Sequence, residues 1–323
     1  MKLAPLFASL LGFFLISEGE AQKAGSPIEL PLWPYGQQLG GRSDKLNETW
    51  TERPITDGTG VRRDRSVKDI SRPTITVYLP EAPNPVRSSV VILPGGGFSH
   101  LAIDKEGHDV ARWLNDKGIA GIVVKYRVYH AENQYYVSQS SLPDAFRAIR
   151  LVRYHSSEWK LDPEKIGAMG FSAGGYLAAA VGTLFDEDFR DQFDEAQQLS
   201  GRPSFIAPIY PLTMLEERVT TSPRFAERIF GSNPTPAMIR ALSPIGNVTA
   251  DTPPAFLVHA HDDQLSSENS AKFYLALLEA GVPAELHVYS MGGHGFGMRQ
   301  RGLPVSSWRE RFLEWLAAND FHK

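Results

Sequence analysis

The chain contains no cysteine among its 323 residues. Without thiols it has no disulfide, no cysteine nucleophile, no zinc–thiolate site and no iron–sulfur cluster. It also lacks a strong charge of either sign, because 33 basic residues face 37 acidic ones for a net charge of −4. That balance excludes the basic stripe of a nucleic-acid-binding domain. Hydrophobic residues make up 42% of the chain, which indicates a globular protein with a sizeable core and excludes a disordered, collagen-like or coiled-coil chain.

The first 21 residues are typical of a secretory signal peptide. Lys2 gives a short positive region, residues 3–16 form an apolar run, and Gly19 and Ala21 are small residues at positions −3 and −1 of a cleavage site. The alternative is a membrane anchor, which needs roughly 20 apolar residues and therefore a longer run. We expect a secreted or periplasmic protein that has no attachment to the membrane once residues 1–21 are removed.

The rest of the chain divides into an arm and one domain. Residues 22–72 are rich in Gly, Pro, Thr and charged residues without clear periodicity, which predicts an irregular N-terminal arm. Over residues 73–323, apolar stretches of strand length alternate with helical patterns, which predicts an α/β fold whose mostly parallel central sheet has helices on both faces. Residues 210–244 provide extra loop and helix for a small lid, but not for a large cap domain.

The strongest motif is Gly-Phe-Ser-Ala-Gly at residues 170–174. A predicted strand at 166–170 precedes it and a predicted small-residue helix at 174–182 follows, which is the context that a G-x-S-x-G turn requires. The sharp reversal from strand to helix holds the serine in a strained backbone conformation, so that its hydroxyl projects above the sheet at a helix N-terminus. The motif predicts Ser172 as a nucleophile.

A glycine run forms the second motif. Residues 94–98 read Pro-Gly-Gly-Gly-Phe and directly follow a predicted strand. Esterases use such a loop for half of an oxyanion hole, and the residue after the nucleophile supplies the other half. The run therefore predicts backbone donors at Gly96 or Gly97 and at Ala173. The alternative, a phosphate-cradling loop, lacks a G-x-G-x-x-G or Walker pattern.

A general base and an acid should then follow in the order Ser, Asp, His. His294 lies in a glycine-flanked loop after the last predicted strand and suits the base. Two carboxylates, Asp262 and Asp263, follow the predicted strand at 255–259. We favour Asp263 because it lies farther into the loop and can turn towards the site, while Asp262 would structure that loop; the choice between the two stays open.

These motifs resemble those of the α/β-hydrolase family, in the group of acetyl-xylan-esterase-like carbohydrate esterases. The resemblance covers about residues 28 to 318. It implies Ser172 as nucleophile, Asp263 as acid and His294 as base, with no cofactor and no metal ion. The main matching stretches are Pro94–Phe98, Met169–Gly175, Asp262-Asp263 and Gly293–Phe296.

Three positions depart from the family's pattern. Pro94 stands where a histidine usually precedes the glycines, Tyr176 stands where a histidine is frequent, and Gln264 begins a segment that replaces a Val-Pro loop. Phe98 and His100 lie just past the glycine run, and Tyr176 lies in the helix after the serine. These three residues, Phe98, His100 and Tyr176, are candidate substrate contacts.

The sequence therefore predicts a secreted serine esterase that removes small acyl groups, acetyl first, from plant or algal polysaccharides or oligosaccharides. Its expected partner is a small-molecule or oligosaccharide ester, and its oligomeric state stays open. In the arm, Trp33, Tyr35 and Trp50 either pin the arm to the core, which we favour, or stack on sugars. The alternatives are a general carboxylesterase, a prolyl-oligopeptidase-like peptidase, a non-catalytic carbohydrate-binding relative, and a metallohydrolase that uses His259 and His261.

Overall fold

The computed structural model describes residues 26–34, 46–58, 60–185, 194–231 and 234–323. The predicted signal peptide, residues 1–21, and Tyr35 lie outside these ranges. The strands are β1 (Ile28–Pro31), β2 (Thr49–Asp57), β3 (Gly60–Lys68), β4 (Thr74–Tyr78), β5 (Ser89–Leu93), β6 (Ala120–Lys125), β7 (Ile166–Phe171), β8 (Phe205–Ile209), β9 (Ala255–Ala260) and β10 (Ala284–Tyr289). The α-helices are α1 (Asp109–Asn115), α2 (Leu142–Tyr154), α3 (Ala173–Thr183), α4 (Leu215–Thr221), α5 (Pro223–Phe230), α6 (Pro236–Leu242), α7 (Glu268–Glu279) and α8 (Trp308–Ala318).

Eight strands form one sheet in the order β1-β4-β6-β5-β7-β8-β9-β10. The six strands from β6 to β10 in that order run parallel, and β4 pairs antiparallel with both β6 and β1. Every residue of β5, β7, β8 and β9 is buried, as expected for parallel strands that helices cover on both faces. The predicted α/β fold with a mostly parallel sheet is confirmed.

The sheet register brings the predicted motifs together. Leu93 at the end of β5 pairs with Gly170 near the end of β7, so the glycine run and the serine turn emerge side by side. Ala260 at the end of β9 likewise pairs with Tyr289 at the end of β10. Because parallel strands end at the same edge of a sheet, all four following loops lie at that edge.

The prediction of an irregular arm over residues 22–72 is wrong for three segments. Strand β1 joins the edge of the main sheet, while β2 and β3 pair with each other as an antiparallel hairpin. The hairpin strands carry charged residues on both faces, with Arg53 opposite Asp64 in the register. Of the apolar side chains in these two strands only Val67 is buried in the core. The strands therefore have no alternation of apolar residues, and this is why periodicity did not reveal the hairpin.

The β2–β3 hairpin is docked beside the loop that follows β5. The backbones of Val67 and Leu101 exchange two hydrogen bonds of 3.1 and 2.8 Å. Arg65 donates from its backbone and from its guanidinium to Asp104, over distances of 2.8 to 2.9 Å. The hairpin therefore reaches the same side of the molecule as the loops at the strand ends.

The segment between β8 and β9 contains the three short helices α4, α5 and α6. They form a small lid-like insertion, as predicted for residues 210–244, and the described residues include no large cap domain. None of the helices in the described part of the chain combines the length and the hydrophobicity that a membrane span requires. The domain boundary at residue 73 stays a prediction.

Candidate active site

Ser172 occupies a strained turn between β7 and α3. Its backbone has φ 54° and ψ −112°, a region that non-glycine residues rarely adopt. Glycines make the turn possible, because a Cβ at Gly170 would overlap the carbonyl oxygen of Gly174, and a Cβ at Gly174 would overlap that of Leu93. The predicted strand–turn–helix context of the motif is therefore present, and its glycines let the turn pack tightly against the end of β5.

Ser172, His294 and Asp263 form a hydrogen-bonded chain. The Oγ atom of Ser172 lies 2.8 Å from Nε2 of His294, and Nδ1 of His294 lies 2.8 Å from Oδ2 of Asp263. An ionised carboxylate only accepts hydrogen bonds, so the proton of a neutral His294 resides on Nδ1 and leaves Nε2 to accept from the serine hydroxyl. The structure thus brings together three residues that the sequence predicts from three separate loops.

Asp263 is held in its ionised form. Burial favours the neutral acid, but hydrogen bonds from His259, from His294 and from the backbone N–H of Leu265 outweigh it and lower the pKa of Asp263 to about 2. The carboxylate is therefore negative at neutral pH, where it fixes the tautomer of His294 and would stabilise an imidazolium.

Asp262 has a different environment from its neighbour. Its Oδ1 accepts hydrogen bonds from the backbone N–H groups of Gly292 and Gly293, both at 2.8 Å. These two glycines directly precede His294, so Asp262 shapes the loop while Asp263 contacts the imidazole. This arrangement matches the assignment that the sequence favours.

The three residues predicted to supply oxyanion donors lie beside Ser172. Gly96, with φ +142°, and Gly97, with φ +61°, lie in a conformation that favours glycine, and a Cβ at Gly96 would overlap the carbonyl oxygen of His100. Both glycines and Ala173 line the cavity that contains Ser172 and His294. Among the residues that the structure describes, no group accepts a hydrogen bond from these three amides. Their role as donors to an oxyanion stays a prediction.

Glu106 is a site residue that the sequence did not reveal. Its buried carboxylate accepts hydrogen bonds from the N–H of Gly95 at 2.9 Å and from the hydroxyl of Tyr210 at 3.1 Å. The Tyr210 hydroxyl in turn accepts from the N–H of Gly297 at 3.0 Å, and Lys105 pairs with Glu106 at 3.4 Å. Glu106 therefore links the glycine run to the loop of His294. No motif marks it, because its partners come from distant parts of the sequence.

The cavity above Ser172 has a volume of about 620 Å³. Phe98 and His100 line it, as predicted. Tyr176 does not: it is fully buried, donates its hydroxyl to the carbonyl of Leu242 at 3.0 Å, and packs edge-on behind Phe98. The prediction of Tyr176 as a substrate contact is therefore wrong, because its side chain leaves the helix on the face turned to α6.

Two arginines that sequence patterns did not mark also line this cavity. Arg228 donates to the carbonyl of Gly97 at 2.9 Å and so supports the glycine run, while the guanidinium of Arg218 lies over the ring of Phe225. Within the described ranges neither arginine pairs with a carboxylate. Their two guanidinium groups add positive charge to a lining that also contains Lys105 and Glu106.

The two histidines of the metallohydrolase alternative do not converge. His259 is fully buried, and its ring nitrogens lie 2.8 Å from the hydroxyl of Ser270 and 2.9 Å from the carbonyl oxygen of Leu265. His261 lies just past the end of β9 and is exposed. Over the described residues, no three His, Asp or Glu side chains are placed to hold a metal ion. His259 instead supports Asp263 and its loop.

Comparisons with known proteins show the family of the chain. The BD-FAE family model matches residues 75–277. An acetylxylan esterase from Xylanibacter ruminicola is 32% identical over 236 residues, which cover 72% of this chain and 45% of that protein. The chain spans less than half of the length of the first curated relatives that it matches.

Solved structures show the same fold. An acetyl ester-xyloside bifunctional hydrolase from Caldicellulosiruptor lactoaceticus superposes with a TM-score of 0.71 at 34% identity, covering 93% of this chain and 98% of that one. A thermophilic esterase from Thermogutta terrifontis with bound butyrate superposes with a TM-score of 0.66 at 26% identity, covering 78% and 91%.

Proposed function

The chain belongs to the BD-FAE family of α/β-hydrolases, and from this premise we propose that it is a secreted serine esterase acting on acetyl and similarly small acyl groups of polysaccharides or oligosaccharides. One observation carries the proposal. The hydrogen-bonded chain from Ser172 through His294 to Asp263 reaches an open cavity at Ser172 and His294, and Gly96, Gly97 and Ala173 line the same cavity. This is the constellation that acyl transfer to a serine requires.

Acylation begins when the substrate ester enters this cavity. The Oγ of Ser172 attacks the carbonyl carbon while Nε2 of His294 takes the hydroxyl proton, and the ionised Asp263 stabilises the imidazolium that forms. The amides of Gly96 or Gly97 and of Ala173 donate to the oxygen that becomes negative. His294 then gives its proton to the departing sugar oxygen, which leaves as an alcohol, and the acyl group stays on Ser172.

Deacylation repeats these steps with water. His294 takes a proton from a water molecule that attacks the acyl carbon, and the same amides stabilise the second tetrahedral intermediate. The bond to Ser172 breaks, its oxygen recovers the proton from His294, and the carboxylic acid leaves. The enzyme returns to its starting state.

The lining of the cavity supports a small acyl group on a polar alcohol. Phe98, Leu212, Phe225 and Leu265 give apolar surface for an acyl group, and the remaining side chains of the wall are mostly charged or polar. The matched relatives are named for acetylxylan and acetyl ester–xyloside substrates, which supports acetyl groups on xylan-type chains. Polymers of this kind lie outside cells, which agrees with the export predicted from residues 1–21.

A general carboxylesterase is the second candidate function. The superposition with an esterase that holds butyrate supports it. The two functions differ in their preferred alcohol: a carbohydrate esterase releases acetate from acetylated xylan, whereas a general carboxylesterase prefers p-nitrophenyl esters and tolerates longer acyl chains.

The test combines labelling and substrate comparison. A serine-directed phosphonate should abolish hydrolysis of p-nitrophenyl acetate, and mass spectrometry should locate the adduct on Ser172 and not on Ser99, which lines the same cavity. Release of acetate from acetylated xylan, pectin and chitin oligomers is compared with hydrolysis of p-nitrophenyl esters of increasing length. Full activity in Ser172→Ala, or an adduct on another residue, contradicts the proposed mechanism.

A further inference from the structure

The cavity at Ser172 does not end at the loops of the sheet. A second cavity of about 300 Å³ adjoins it and shares three lining residues with it, His100, Ala102 and Lys105. Its far wall belongs to the β2–β3 hairpin, through Arg53 and Asp64 among others. The space next to the serine therefore continues onto the hairpin.

A third depression extends the same path. It has a volume of about 260 Å³, shares Thr51, Glu52 and Arg65 with the second cavity, and ends at Trp50. Trp50 is 46% exposed, and the guanidinium of Arg65 lies 5.6 Å from its ring centre. We call the second and third depressions together the hairpin groove.

Trp50 differs from the other tryptophan of the predicted arm. Trp33 is 4% exposed and donates its indole N–H to Asp144, so it pins the chain to the core. Trp50 has no such burial, and an exposed indole beside a polar groove is a surface on which a ligand can pack. The interpretation that the sequence favours, in which these aromatic residues pin the arm to the core, thus fits Trp33 but does not account for Trp50.

We propose that the hairpin groove binds a sugar residue beyond the one that carries the ester, with Trp50 as its stacking surface; this rests on the proposed function. The apolar C–H face of a pyranose packs on an aromatic ring, and its hydroxyls need donors and acceptors close by. Beside Trp50 the groove offers the charged groups of Glu52 and Arg65, which lie opposite each other in the hairpin register and on the same face of the hairpin as Trp50.

The groove is fixed relative to the reacting groups. Pairing of Val67 with Leu101 and the hydrogen bonds from Arg65 to Asp104 join the hairpin to the loop that follows the glycine run. A preformed site of this kind loses little entropy when a rigid ligand binds. The hairpin lies outside residues 75–277, the part of the chain that the family model matches.

The experiment compares substrates with and without a second sugar. For wild type, kcat/KM should rise with chain length across acetylated xylo-oligosaccharides from xylobiose to xylohexaose. Trp50→Ala should lower kcat/KM about 3- to 10-fold on the longer oligosaccharides, because the sugar loses its stacking contact with the indole ring. The same variant should hydrolyse p-nitrophenyl acetate with the kcat/KM of wild type. Trp50→Phe should recover most of the loss.

Val61→Ala is the matched control, because Val61 is 73% exposed on the same hairpin and lines no part of the groove. It should behave as wild type on all substrates. An equal loss on p-nitrophenyl acetate in Trp50→Ala, or no loss on any oligosaccharide, overturns the proposal. So does a fall in molar mass in solution on Trp50→Ala, which would make the hairpin an interface between copies of the chain.

Failure of the proposed function gives a different result. If wild type releases no acetate from any sugar ester, the esterase assignment to carbohydrates fails and the groove has no substrate to bind. If wild type hydrolyses every oligosaccharide with the same kcat/KM regardless of length, the esterase assignment holds and the hairpin groove alone is refuted.

Discussion

The loops at the strand ends and the β2–β3 hairpin border one continuous cleft, but they are held by different forces. The loops around Ser172 are fixed by backbone contacts that admit only glycine and by hydrogen bonds to the buried carboxylates Asp263 and Glu106. The hairpin is held by the pair of backbone hydrogen bonds between Val67 and Leu101, by a third from Gly58 to Gln300, and by ion pairs that water partly reaches, such as Arg65 with Asp104.

Because of this difference, the reaction at Ser172 and the recognition of the sugar should depend on separate parts of the molecule. A buried, fully hydrogen-bonded group has one low-energy arrangement, and removal of its partner is costly. A partly exposed ion pair contributes about 0–1 kcal/mol, so a hairpin held this way can change with little effect on the reacting atoms. Substitutions in the loops should therefore reduce catalysis strongly, and substitutions that loosen the hairpin should leave small esters unaffected.

The largest effect on catalysis is expected at Asp263, and its neighbour Asp262 provides the comparison. Asp263→Asn should lower kcat on p-nitrophenyl acetate about 10⁴-fold, because an amide neither fixes the tautomer of His294 nor stabilises its cation. Asp262→Asn should lower it about threefold or less, since an amide oxygen still accepts from Gly292 and Gly293. Steady-state kinetics on both purified variants gives the comparison, and a larger loss in Asp262→Asn would reverse the assignment of the acid.

Glu106→Gln tests whether the link between the two loops positions the amides. The neutral amide weakens the hydrogen bond from Gly95, so kcat should fall about 10-fold or more with little change in KM, and the free energy of unfolding should drop by about 2 kcal/mol. Glu268→Gln, on the exposed surface of α7, is the control and should keep wild-type kinetics. A change confined to KM would mean that Glu106 acts on substrate binding instead.

Acid should destabilise the loops through Asp263. Its pKa is lowered to about 2 in the folded protein, so its ionised form stabilises the fold above the unfolded-state pKa, and this contribution is lost as the pH falls from about 4 to 2. The total is about 2 kcal/mol, and about half is lost by pH 3. Urea unfolding at pH 5 and pH 3 should show a smaller acid effect in Asp263→Asn than in wild type; equal effects would contradict the lowered pKa.

The same division explains what the sequence could predict. The turn at Ser172 and the loop of His294 were predictable because glycines adjacent in sequence create their geometry, and the carboxyl ends of parallel strands meet at one edge. Separating Asp262 from Asp263 needed the structure, because the two are neighbours in sequence and only the loop conformation decides which one faces the imidazole.

Other features depended on contacts between distant residues. Glu106 gains its role from Gly95 and Tyr210, and nothing near Glu106 in the sequence marks that meeting. The hairpin has polar residues on both faces, so it has no alternating pattern. Tyr176 failed as a substrate contact because its helix turns it towards Leu242, a direction that the motif alone does not fix.

The smallest effect is expected from loosening the hairpin at Asp104. Its buried carboxylate accepts from the backbone N–H and the guanidinium of Arg65, and although burial raises its pKa, these hydrogen bonds leave the pKa below the usual value. Since the Arg65 side chain is partly exposed, Asp104→Asn should cost about 1 kcal/mol and lower the Tm by about 2–4 °C. Limited proteolysis should cut the hairpin faster than in wild type or in Asp116→Asn, an exposed control, while kcat/KM on p-nitrophenyl acetate stays the same. A large loss on that small ester would mean that the hairpin supports the reacting groups themselves, and the separation of chemistry from recognition would fail.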